Sequence, residues 1–305
     1  MVEKPSYAQH VVMLLGSSGQ LGRAIRARKM PGFDVISVSR EEMNLSDLSS
    51  IQRVVDDIRP DLILNAAAFT AIDQAEAEPE LALTVNARAV EMLARSAKAV
   101  GAAFLHVSTD QVFDGGLDRP YHETDHAAPL NMYGATKLLG EELAQLACPR
   151  TAILRSSTLH APWGRNLVRK SIEMVMDGQE VNALADRVVS ATSVEMLASV
   201  CTSITPKLIG ADNYADFWGV THCAALDACS EADLARTALT MSGLSQASVR
   251  PVKSTDCPTA AARPRATALD CARLRRVFDI HPSTWRDQLS ATVSELSRKF
   301  APEAA

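Results

Sequence analysis

The sequence predicts an α/β fold: a doubly wound parallel sheet with a smaller C-terminal α/β lobe. Three observations support this prediction. Short apolar runs that suit buried strands alternate with helix-compatible segments through the first half of the chain. A glycine-rich turn directly follows the first apolar run, and polar motifs follow a later one. Such alternation favours parallel strands, because each intervening helix returns the chain to the same edge of the sheet.

The first strand is predicted at 10–15, and it runs into G-S-S-G-Q-L-G before a helix that continues to about residue 28. This strand–turn–helix order is the setting of a Rossmann-type dinucleotide site. Gly16 would allow the tight turn, Gly19 would let a pyrophosphate approach the backbone, and Gly22 would let the helix pack on the strand. The N–H groups of the helix N-terminus would then face the phosphates. The alternative is an ordinary flexible turn.

The second predicted strand, 35–38, ends at Ser39-Arg40. At this position an acid hydrogen-bonds the ribose 2′-hydroxyl of NAD, whereas an arginine accommodates the 2′-phosphate of NADP. Arg40 therefore favours NADPH. Glu41 and Glu42 follow directly and keep NADH possible. The other interpretation of Arg40 is a solvated charge in a loop.

A third strand is predicted at 62–64, after a helix at 48–58. The strand leads into N-A-A-A-F-T. Small side chains at the carboxyl end of a strand let a cofactor lie close to the backbone. We therefore expect Ala66, Ala67 and Ala68 to line the cofactor cleft.

The most informative stretch begins with a fourth apolar strand, 102–107, which ends at Ser108-Thr109-Asp110. Ligands bind at that edge of an open parallel sheet. The preceding segment, 71–100, is predicted to be helical with an interruption at Pro79. A buried asparagine within a helix needs hydrogen-bond partners, so we expect Asn86 to bridge to the strand that carries Ser108. A surface position for Asn86 is the alternative.

Tyr133 and Lys137 follow at a spacing of four residues, which places both side chains on one face of a helix. An isolated tyrosine titrates near pH ~10, and a nearby ammonium lowers that pKa. We therefore expect Lys137 to tune Tyr133 as a general acid, with Thr109 hydrogen-bonding the substrate oxygen. Because this spacing also occurs by chance in helices, it indicates catalysis only together with the strand end and the glycine turn.

The second half of the chain is less regular. A strand is predicted at 151–154, a helix begins near Asn166, and another strand is predicted at 181–184. Helices are predicted at 193–204, at 231–241 with Ser230 as N-cap, and at 269–277, with a loop at 260–265. We assign residues 1–158 to a dinucleotide-binding domain that also receives 190–208, and residues 159–305 mainly to a substrate-binding lobe.

The composition limits the partners. The 305 residues are 47% hydrophobic, and the net charge of −5 includes no long run of one sign, so we expect neither nucleic-acid nor membrane binding. No apolar stretch reaches the ~18 residues of a membrane helix, and the first ten residues lack the apolar core of a signal peptide. Six scattered cysteines without a C-x-x-C pair indicate reduced thiols and a cytoplasmic protein. The histidines share no ligand spacing, which predicts no metal site.

Five motifs are the basis of a family resemblance: G-S-S-G-Q-L-G, N-A-A-A-F-T-A-I-D-Q-A-E, V-N-A, V-S-T-D-Q-V-F-D-G and P-L-N-M-Y-G-A-T-K-L-L-G-E-E. On these motifs the chain resembles the extended short-chain dehydrogenase/reductases, and within them the dTDP-4-dehydrorhamnose reductase group. The resemblance continues more weakly through L-R-S-S-T-L and A-R-P-R-A-T-A-L-D, so it spans nearly the whole chain. It implies NADPH-dependent reduction of a nucleotide-linked 4-keto-6-deoxy sugar.

The resemblance also implies residue roles. Thr109, Tyr133 and Lys137 match the catalytic triad, in which the tyrosine protonates the keto oxygen and the lysine also holds the nicotinamide ribose. The residues implied to contact the cofactor are Gly16, Ser18, Gly19, Gln20, Leu21, Arg40, Ala66, Ala67, Ala68, Tyr133 and Lys137. Those implied to face the nucleotide-sugar are Asp110, Gln111, Asn166 and Arg263.

Two departures from the family pattern leave the identity of the sugar open. Gln111 stands where the family usually has tyrosine, and residues 186–192 read D-R-V-V-S-A-T where the family has D-Q-x-G-x-P-T. A reductase or epimerase of another nucleotide-sugar is therefore a second hypothesis. A third is a non-catalytic dinucleotide-binding regulatory subunit resembling that of methionine adenosyltransferase. A homodimer is possible, and the sequence determines neither the oligomeric state nor any magnesium requirement.

Overall fold

A computed structural model describes residues 9–244 and 249–300. Its strands are β1 (His10–Leu15), β2 (Phe33–Val38), β3 (Leu62–Asn65), β4 (Ala103–Thr109), β5 (Thr151–Ser156), β6 (Leu159–His160), β7 (Val181–Leu184), β8 (Val188–Val189), β9 (Thr192–Ser193), β10 (Gly219–His222), β11 (Cys229–Ser230) and β12 (Val249–Val252). Its α-helices are α1 (Gln20–Ala27), α2 (Ile51–Ile58), α3 (Ile72–Ala77), α4 (Pro79–Leu83), α5 (Ala89–Val100), α6 (Met132–Ala147), α7 (Leu167–Met176), α8 (Val194–Gly210), α9 (Glu231–Met241), α10 (Ala272–Phe278) and α11 (Trp285–Phe300).

A six-stranded parallel sheet forms the centre of the molecule, with its strands in the order β2-β1-β3-β4-β5-β10. The apolar runs form these strands because helices cover both faces of the sheet, so consecutive side chains along a run are buried. The chain winds from β1 to β2 in one direction and from β3 onward in the other. The predicted doubly wound parallel sheet is therefore confirmed.

Alternate side chains of the strands pack into two different layers of the core. Leu14 of β1 packs in one layer with Leu197 of α8, whereas the neighbouring Met13 packs in the other with Leu93 of α5 and Phe104 of β4. All five side chains are fully buried. Burial of one such side chain contributes about 1.5–3 kcal/mol. The sheet is thus fixed from both sides, and its carboxyl edge is a rigid support for the loops that follow the strands.

The segment 71–100 is helical and interrupted at Pro79, as predicted. A π-helical turn at Thr84–Arg88 joins α4 to α5 and contains the buried Asn86. The Asn86 side chain accepts a 2.8 Å hydrogen bond from the Phe69 N–H and donates to the Phe69 carbonyl at 3.1 Å and to the Thr136 hydroxyl at 3.2 Å. The expected bridge to the strand of Ser108 is therefore wrong. The backbone groups of the loop after β3 lack sheet partners and need this amide, whereas those of β4 are paired within the sheet.

The C-terminal lobe has a core of its own. Helices α7, α9 and α11 pack there around the small strand pairs β7–β12 and β8–β11 and bury Val168, Leu234 and Trp285. Helix α8 packs on the central sheet, and β10 pairs with β5 as the edge strand of that sheet.

Two observations bear on the environment of the protein. Within residues 9–244 and 249–300, no helix combines the length and the apolar character needed to cross a membrane. All six cysteines are free thiols, with Cys257 exposed and the other five buried. The free thiols agree with the reduced state expected from the cysteine spacing.

Candidate active site

The order of the strands reverses between β1 and β3, and ligands of open α/β sheets bind at such a switch point. Gly16 follows β1 with a φ of 75°, in the left-handed region. A Cβ at this residue would lie 2.6 Å from the Ala67 nitrogen and 2.7 Å from the Ala66 carbonyl carbon. Only glycine therefore lets the turn approach the end of β3 this closely. Ala66, Ala67 and Ala68, which the sequence predicts to line the cofactor cleft, follow β3 and are half-buried.

The glycine turn leads directly into α1. A Cβ on Gly22 would collide with the carbonyl oxygen of Gly16, so the close packing of helix and turn requires glycine. Gly19 is the N-cap of α1, and no side chain caps the first N–H groups of the helix. Ser18 and Arg23 line an open cleft beside the turn. Free N–H groups, the helix dipole and an arginine together suit a pyrophosphate.

Gln20 connects the glycine turn to the C-terminal half of the chain. Its side-chain oxygen accepts a 3.0 Å hydrogen bond from the Asn166 amide, and its backbone carbonyl accepts a 3.1 Å bond from the Trp163 indole. Asn166 also caps the N-terminus of α7. Leu21 is buried in the core beneath α1. Two residues predicted separately, Gln20 for the cofactor and Asn166 for the sugar, therefore bond to each other and hold the start of α7 against the turn.

The end of β2 presents both a base and an acid. Arg40 is exposed. The Glu42 carboxylate accepts a 2.7 Å hydrogen bond from the Ser39 N–H, and the Glu42 N–H donates to the Ser39 hydroxyl at 3.3 Å. The backbone hydrogen bond from Ser39 lowers the pKa of Glu42, so this carboxylate is charged next to Arg40. The predicted contact of Arg40 with a 2′-phosphate would thus form beside the charged carboxylate of Glu42.

Asp110 follows β4 and connects three segments of the chain. One carboxylate oxygen accepts hydrogen bonds from the Ser157 hydroxyl at 2.7 Å and the Thr267 hydroxyl at 2.6 Å. The other accepts from the Thr109 hydroxyl at 3.2 Å and the Gln111 amide at 3.4 Å. Asp110 is only 3% exposed. Hydroxyl and amide donors thus satisfy a buried carboxylate directly beneath Thr109, and hold the end of β4 against the segment after β5.

Helix α6 begins directly against the end of β4. Asn131 caps the helix by accepting a 2.8 Å hydrogen bond from the Gly134 N–H, and its amide donates to the Ala262 carbonyl at 2.8 Å. A Cβ on Gly134 would collide with the carbonyl oxygen of Gln111. The absence of a side chain at Gly134 therefore allows the first turn of α6, which carries Tyr133, to touch the segment after Thr109.

Tyr133 is partly exposed in the cleft, next to Thr109. Burial by the surrounding protein raises the pKa of Tyr133 to about 12; a side-chain hydrogen bond with Thr109 lowers it, and the charge of Asp110 raises it. The expectation was a pKa lowered by Lys137. The structure differs because the amine of Lys137 is directed at β4, where other acceptors hold it.

Lys137 is almost completely buried, at 1% exposure. Its Nζ lies 2.7 Å from the Val107 carbonyl oxygen and 2.9 Å from Nε2 of His106. Burial lowers the pKa of Lys137 to about 8, and the charge of Glu141, one turn along α6, acts in the opposite direction. Lys137 is therefore held at a defined point on β4, one helical turn from Tyr133, with a proton that is easily lost.

Arg263 is a predicted sugar-facing residue that pairs within the protein. Its guanidinium lies 2.8 Å from the Asp73 carboxylate, which also accepts a 3.0 Å hydrogen bond from the Ala261 N–H. The backbone hydrogen bond from Ala261 is the main reason why the pKa of Asp73 is lowered. Gln111, another predicted sugar contact, is 3% exposed. These contacts hold the 261–263 loop beside α3 and leave Arg263 partly exposed.

Sequence reasoning missed the residues that surround Lys137. His106 was considered only among the histidines that share no metal-ligand spacing, and Asn65 only as part of N-A-A-A-F-T. Glu141 and Arg155, a buried ion pair with an N···O distance of 2.6 Å, were also overlooked. The spacing of Glu141 four residues after Lys137 was an available signal, because it places the carboxylate on the same helix face. No local sequence pattern predicts that Glu141 on α6 pairs with Arg155 on β5.

A family model, known relatives and solved structures match this chain over most of its length. The family described as RmlD substrate binding domain matches residues 10–298. The dTDP-4-dehydrorhamnose reductase of Escherichia coli is 34% identical over 297 residues, which cover 93% of this chain and 97% of that protein. A crystal structure of a dTDP-4-dehydrorhamnose reductase from Clostridium acetobutylicum matches with a TM-score of 0.87 and 29% identity, covering 94% of this chain and 99% of that one. The reductase from Bacillus anthracis, solved in complex with NADP, matches with a TM-score of 0.86, 29% identity and the same coverage.

Proposed function

This chain belongs to the RmlD substrate binding domain family, and on that premise we propose that it is an NADPH-dependent oxidoreductase that reduces a nucleotide-linked 4-keto-6-deoxy sugar. Its relatives are dTDP-4-dehydrorhamnose reductases, so the expected substrate is dTDP-linked. The observation that supports the proposal most directly is the position of Thr109, Tyr133 and Lys137. They lie at or beside the carboxyl edge of β4, on the ligand-binding side of the sheet.

The residues at the switch point suit a dinucleotide. Gly16 and Gly22 let the turn pack directly against the end of β3 and against the start of α1, where any Cβ would collide with backbone atoms. The uncapped start of α1 would hold the pyrophosphate, with Ser18 and Gly19 beside it. Ala66, Ala67 and Ala68 would lie under the inner half, and Arg40 would contact the 2′-phosphate. The cofactor is NADPH, and NADP is bound in the Bacillus anthracis relative.

In the proposed reaction Tyr133 is the proton donor. When bound, NADPH supplies a hydride to the carbonyl carbon, and negative charge then develops on the carbonyl oxygen. With a pKa of about 12, Tyr133 carries its proton throughout the neutral range. A sugar alkoxide is a stronger base than a phenolate, so transfer of this proton is favourable. Thr109, whose hydroxyl donates to Asp110 in this structure, would turn its proton toward the carbonyl oxygen and so orient that oxygen for the transfer.

Lys137 acts through its position and its charge. Two contacts, to the Val107 carbonyl and to His106, hold its Nζ on β4. At least one further N–H is available for a hydroxyl of the nicotinamide ribose. Protonated Lys137 would also stabilise the phenolate that Tyr133 becomes after the transfer.

We assign the sugar nucleotide to the side of the site formed by Asp110, Gln111, Asn166 and Arg263. A reductase of a different nucleotide-sugar is the second candidate, and the surroundings of Gln111 favour keeping it. The Gln111 amide donates to Asp110 at 3.4 Å and its oxygen accepts from Asn131 at 3.4 Å. A glutamine held by these two hydrogen bonds presents a different surface to a sugar than the tyrosine that the family usually has at this position.

The proposed function is tested by NADPH oxidation with purified protein. The assay compares dTDP-, UDP- and GDP-linked 4-keto-6-deoxy sugars, with Tyr133→Phe as the inactive reference. We expect turnover with the dTDP-linked sugar; preference for another nucleotide would favour the second candidate. If NADPH binds but none of the sugars is reduced, the enzyme proposal is wrong and the regulatory-subunit hypothesis takes its place.

Two further proposals concern the state of the protein in the cell. The six free cysteines support a cytoplasmic location. Leu139 and Leu146 lie on α6 and are 37% and 83% exposed. This exposed apolar pair supports a homodimer formed through α6. Light scattering of wild type and Leu146→Glu measures the mass directly, and a monomeric wild type would refute the dimer.

A further inference from the structure

A nearly buried ion pair joins the segment before β8 to the first turn of α9. Nη1 of Arg187 lies 2.9 Å from the Glu231 carboxylate, and the two side chains are only 13% and 14% exposed. Arg187 lies between β7 and β8, and Glu231 is the first residue of α9. Charged side chains are seldom buried to this extent unless they are paired.

The backbone holds both partners of this pair. The Glu231 N–H donates a 3.1 Å hydrogen bond to the Arg187 carbonyl oxygen, next to the antiparallel pairing of β8 with β11. Before Arg187 in the chain, the Asp186 carboxylate accepts from the Ser254 N–H at 2.9 Å and from the Ser254 hydroxyl at 2.8 Å. The guanidinium therefore projects from a segment that is fixed on both sides.

A short run of hydrogen bonds connects this segment to Asp110 at the end of β4. The Val188 N–H donates to the Arg265 carbonyl oxygen at 2.7 Å, and the Val188 carbonyl accepts from the Thr267 N–H at 3.0 Å. The Thr267 hydroxyl then donates to the Asp110 carboxylate at 2.6 Å. The ion pair is thus separated by one short segment from the part of the site assigned to the nucleotide-sugar.

The charges of that part of the site also reach Glu231. Burial raises the pKa of this carboxyl, and the charges of Arg187 and Arg263 lower it. The charges of Asp110 and Asp186 raise it further. The hydrogen bonds and these electrostatic effects therefore agree in placing the ion pair beside the assigned substrate side of the site.

Arg187 keeps donors that the protein does not use. A guanidinium has five N–H groups, and Glu231 makes its closest approach at Nη1. Nε is buried and has no hydrogen-bond partner among residues 9–244 and 249–300. A donor left unpaired in this way lowers stability, so its retention calls for a role other than holding the fold.

The charges around the pair favour an uncharged ligand group. The guanidinium of Arg187 is already paired with Glu231, and that of Arg263 lies 2.8 Å from the Asp73 carboxylate. The Asp110 carboxylate, which accepts from neutral hydroxyl and amide groups, adds a further negative charge. This surplus would repel a diphosphate, whereas a hydroxyl group can accept from a guanidinium and donate to a carboxylate.

We propose that Arg187 and Glu231 form a specificity-determining pair that binds two adjacent hydroxyl groups of the hexose, with Arg187 donating and Glu231 accepting. The inference rests on the proposed function, because the hexose is the substrate of that reaction. A 4-keto-6-deoxy hexose linked through C1 has hydroxyls only at C2 and C3, so these are the groups bound. The pair would leave the nucleotide and the cofactor to other residues.

Calorimetric titration of the full chain, saturated with NADP so that no turnover occurs, tests the proposal. The probes are dTDP-rhamnose, its 2-deoxy and 3-deoxy analogues, and dTDP alone. Arg187→Gln keeps an amide donor but removes the charge, and a hydrogen bond from a charged group is lost. We expect the affinity for dTDP-rhamnose to fall at least about tenfold, while the affinities for dTDP and for NADP remain unchanged.

The analogues identify the groups that are bound. In wild type the deoxy analogues should bind more weakly than dTDP-rhamnose, and Arg187→Gln should remove most of that difference. Arg236→Gln is the matched control, because it makes the same change on α9 in an ion pair whose partners, Arg236 and Asp233, are 51% and 52% exposed. It should leave every affinity unchanged.

The double variant Arg187→Gln/Glu231→Gln leaves no unpaired charge, so it tests the proposal even if the single variant does not fold. Equal affinity of wild type and the double variant for dTDP-rhamnose would overturn the inference while the proposed function stands. An equal loss for dTDP alone would also overturn it, because Arg187 would then contact the nucleotide. If wild type binds none of the dTDP compounds, the proposed function fails as well.

Discussion

The guanidinium of Arg155 on β5 donates three hydrogen bonds to the carboxylate of Glu141 on α6, at distances of 2.6–3.0 Å. The two side chains are only 6% and 1% exposed. The pair joins the helix of Tyr133 and Lys137 to the strand next to β4. Its geometry therefore supports the position of the candidate catalytic side chains.

We expect removal of one partner of this pair to lower the free energy of unfolding. Glu141→Gln leaves the charge of Arg155 buried without a counter-charge, which typically costs about 3–5 kcal/mol. The double variant Glu141→Gln/Arg155→Met should recover part of the loss, because no unpaired charge remains. Urea unfolding measures each free energy. Asp57→Ala is the control, because it breaks an ion pair whose partners are 67% and 69% exposed. Its loss of unfolding free energy should be less than about 1 kcal/mol. Equal losses at both sites would contradict the prediction.

Tyr133→Phe should abolish most of the activity while the fold and the affinity for NADPH remain. The substitution removes only the phenol oxygen, and a general acid typically contributes a factor of ~10²–10⁴ in rate. Steady-state rates with a confirmed substrate measure the loss, and fluorescence titration measures NADPH binding. Tyr214→Phe removes the same atom from a side chain that is 95% exposed and serves as the control. Full activity of Tyr133→Phe would mean that the proton comes from another group.

Arg40→Ala should reduce the preference for NADPH over NADH. A hydrogen bond to a charged group contributes about 1.5–3 kcal/mol, so the affinity for NADPH should fall at least about tenfold. The affinity for NADH, which has no 2′-phosphate, should change little. Titration of both cofactors against wild type, Arg40→Ala and the exposed control Arg53→Ala provides the comparison. An unchanged ratio of the two affinities would show that Arg40 does not contact the cofactor.

The lowered pKa of Lys137 predicts a specific dependence of stability on pH. The pKa is about 8 in the folded protein against a reference value of 10.5, so between these values the unfolded chain binds more protons. Stability contributed by this group therefore rises with pH in that window. Each unit of difference corresponds to about 1.4 kcal/mol, which gives up to roughly 3 kcal/mol for the full window.

The measurement is the difference in unfolding free energy between wild type and Lys137→Met at several pH values from 7 to 10. Cysteines and tyrosines titrate in the same range, but their contributions cancel in the difference. Wild type should gain on the variant as the pH rises from 8. A constant difference would mean that the folded protein does not lower the pKa of Lys137.

Patterns within a few neighbouring residues were sufficient for much of the site. The first strand ends directly before Gly16, and Gly22 packs against the backbone of Gly16. Both relations lie within or next to the segment G-S-S-G-Q-L-G, so the sequence indicates them directly. The spacing of Tyr133 and Lys137 likewise follows from the period of a helix. These features were predictable because their geometry is local.

Other assignments depended on residues that are distant in the sequence. Asn86 contacts Phe69 rather than the strand of Ser108, because the loop after β3 has backbone groups without sheet partners. Asp110 accepts a hydrogen bond from the hydroxyl of Thr267, 157 residues later in the sequence. No periodicity contains such pairings, since they result from the way separate elements pack.

By itself, the sequence determined a doubly wound parallel sheet, a dinucleotide turn and a Tyr–Lys pair on one helix face, all of which follow from local backbone geometry and hydrophobic periodicity. Only the tertiary structure decided where the amine of Lys137 points. It brings His106, 31 residues earlier in the chain, to 2.9 Å from Nζ. The amine therefore contacts β4 and does not point at Tyr133 as expected. The physical reason is that a buried amine must find its hydrogen-bond partners among whatever groups the packed strands place around it.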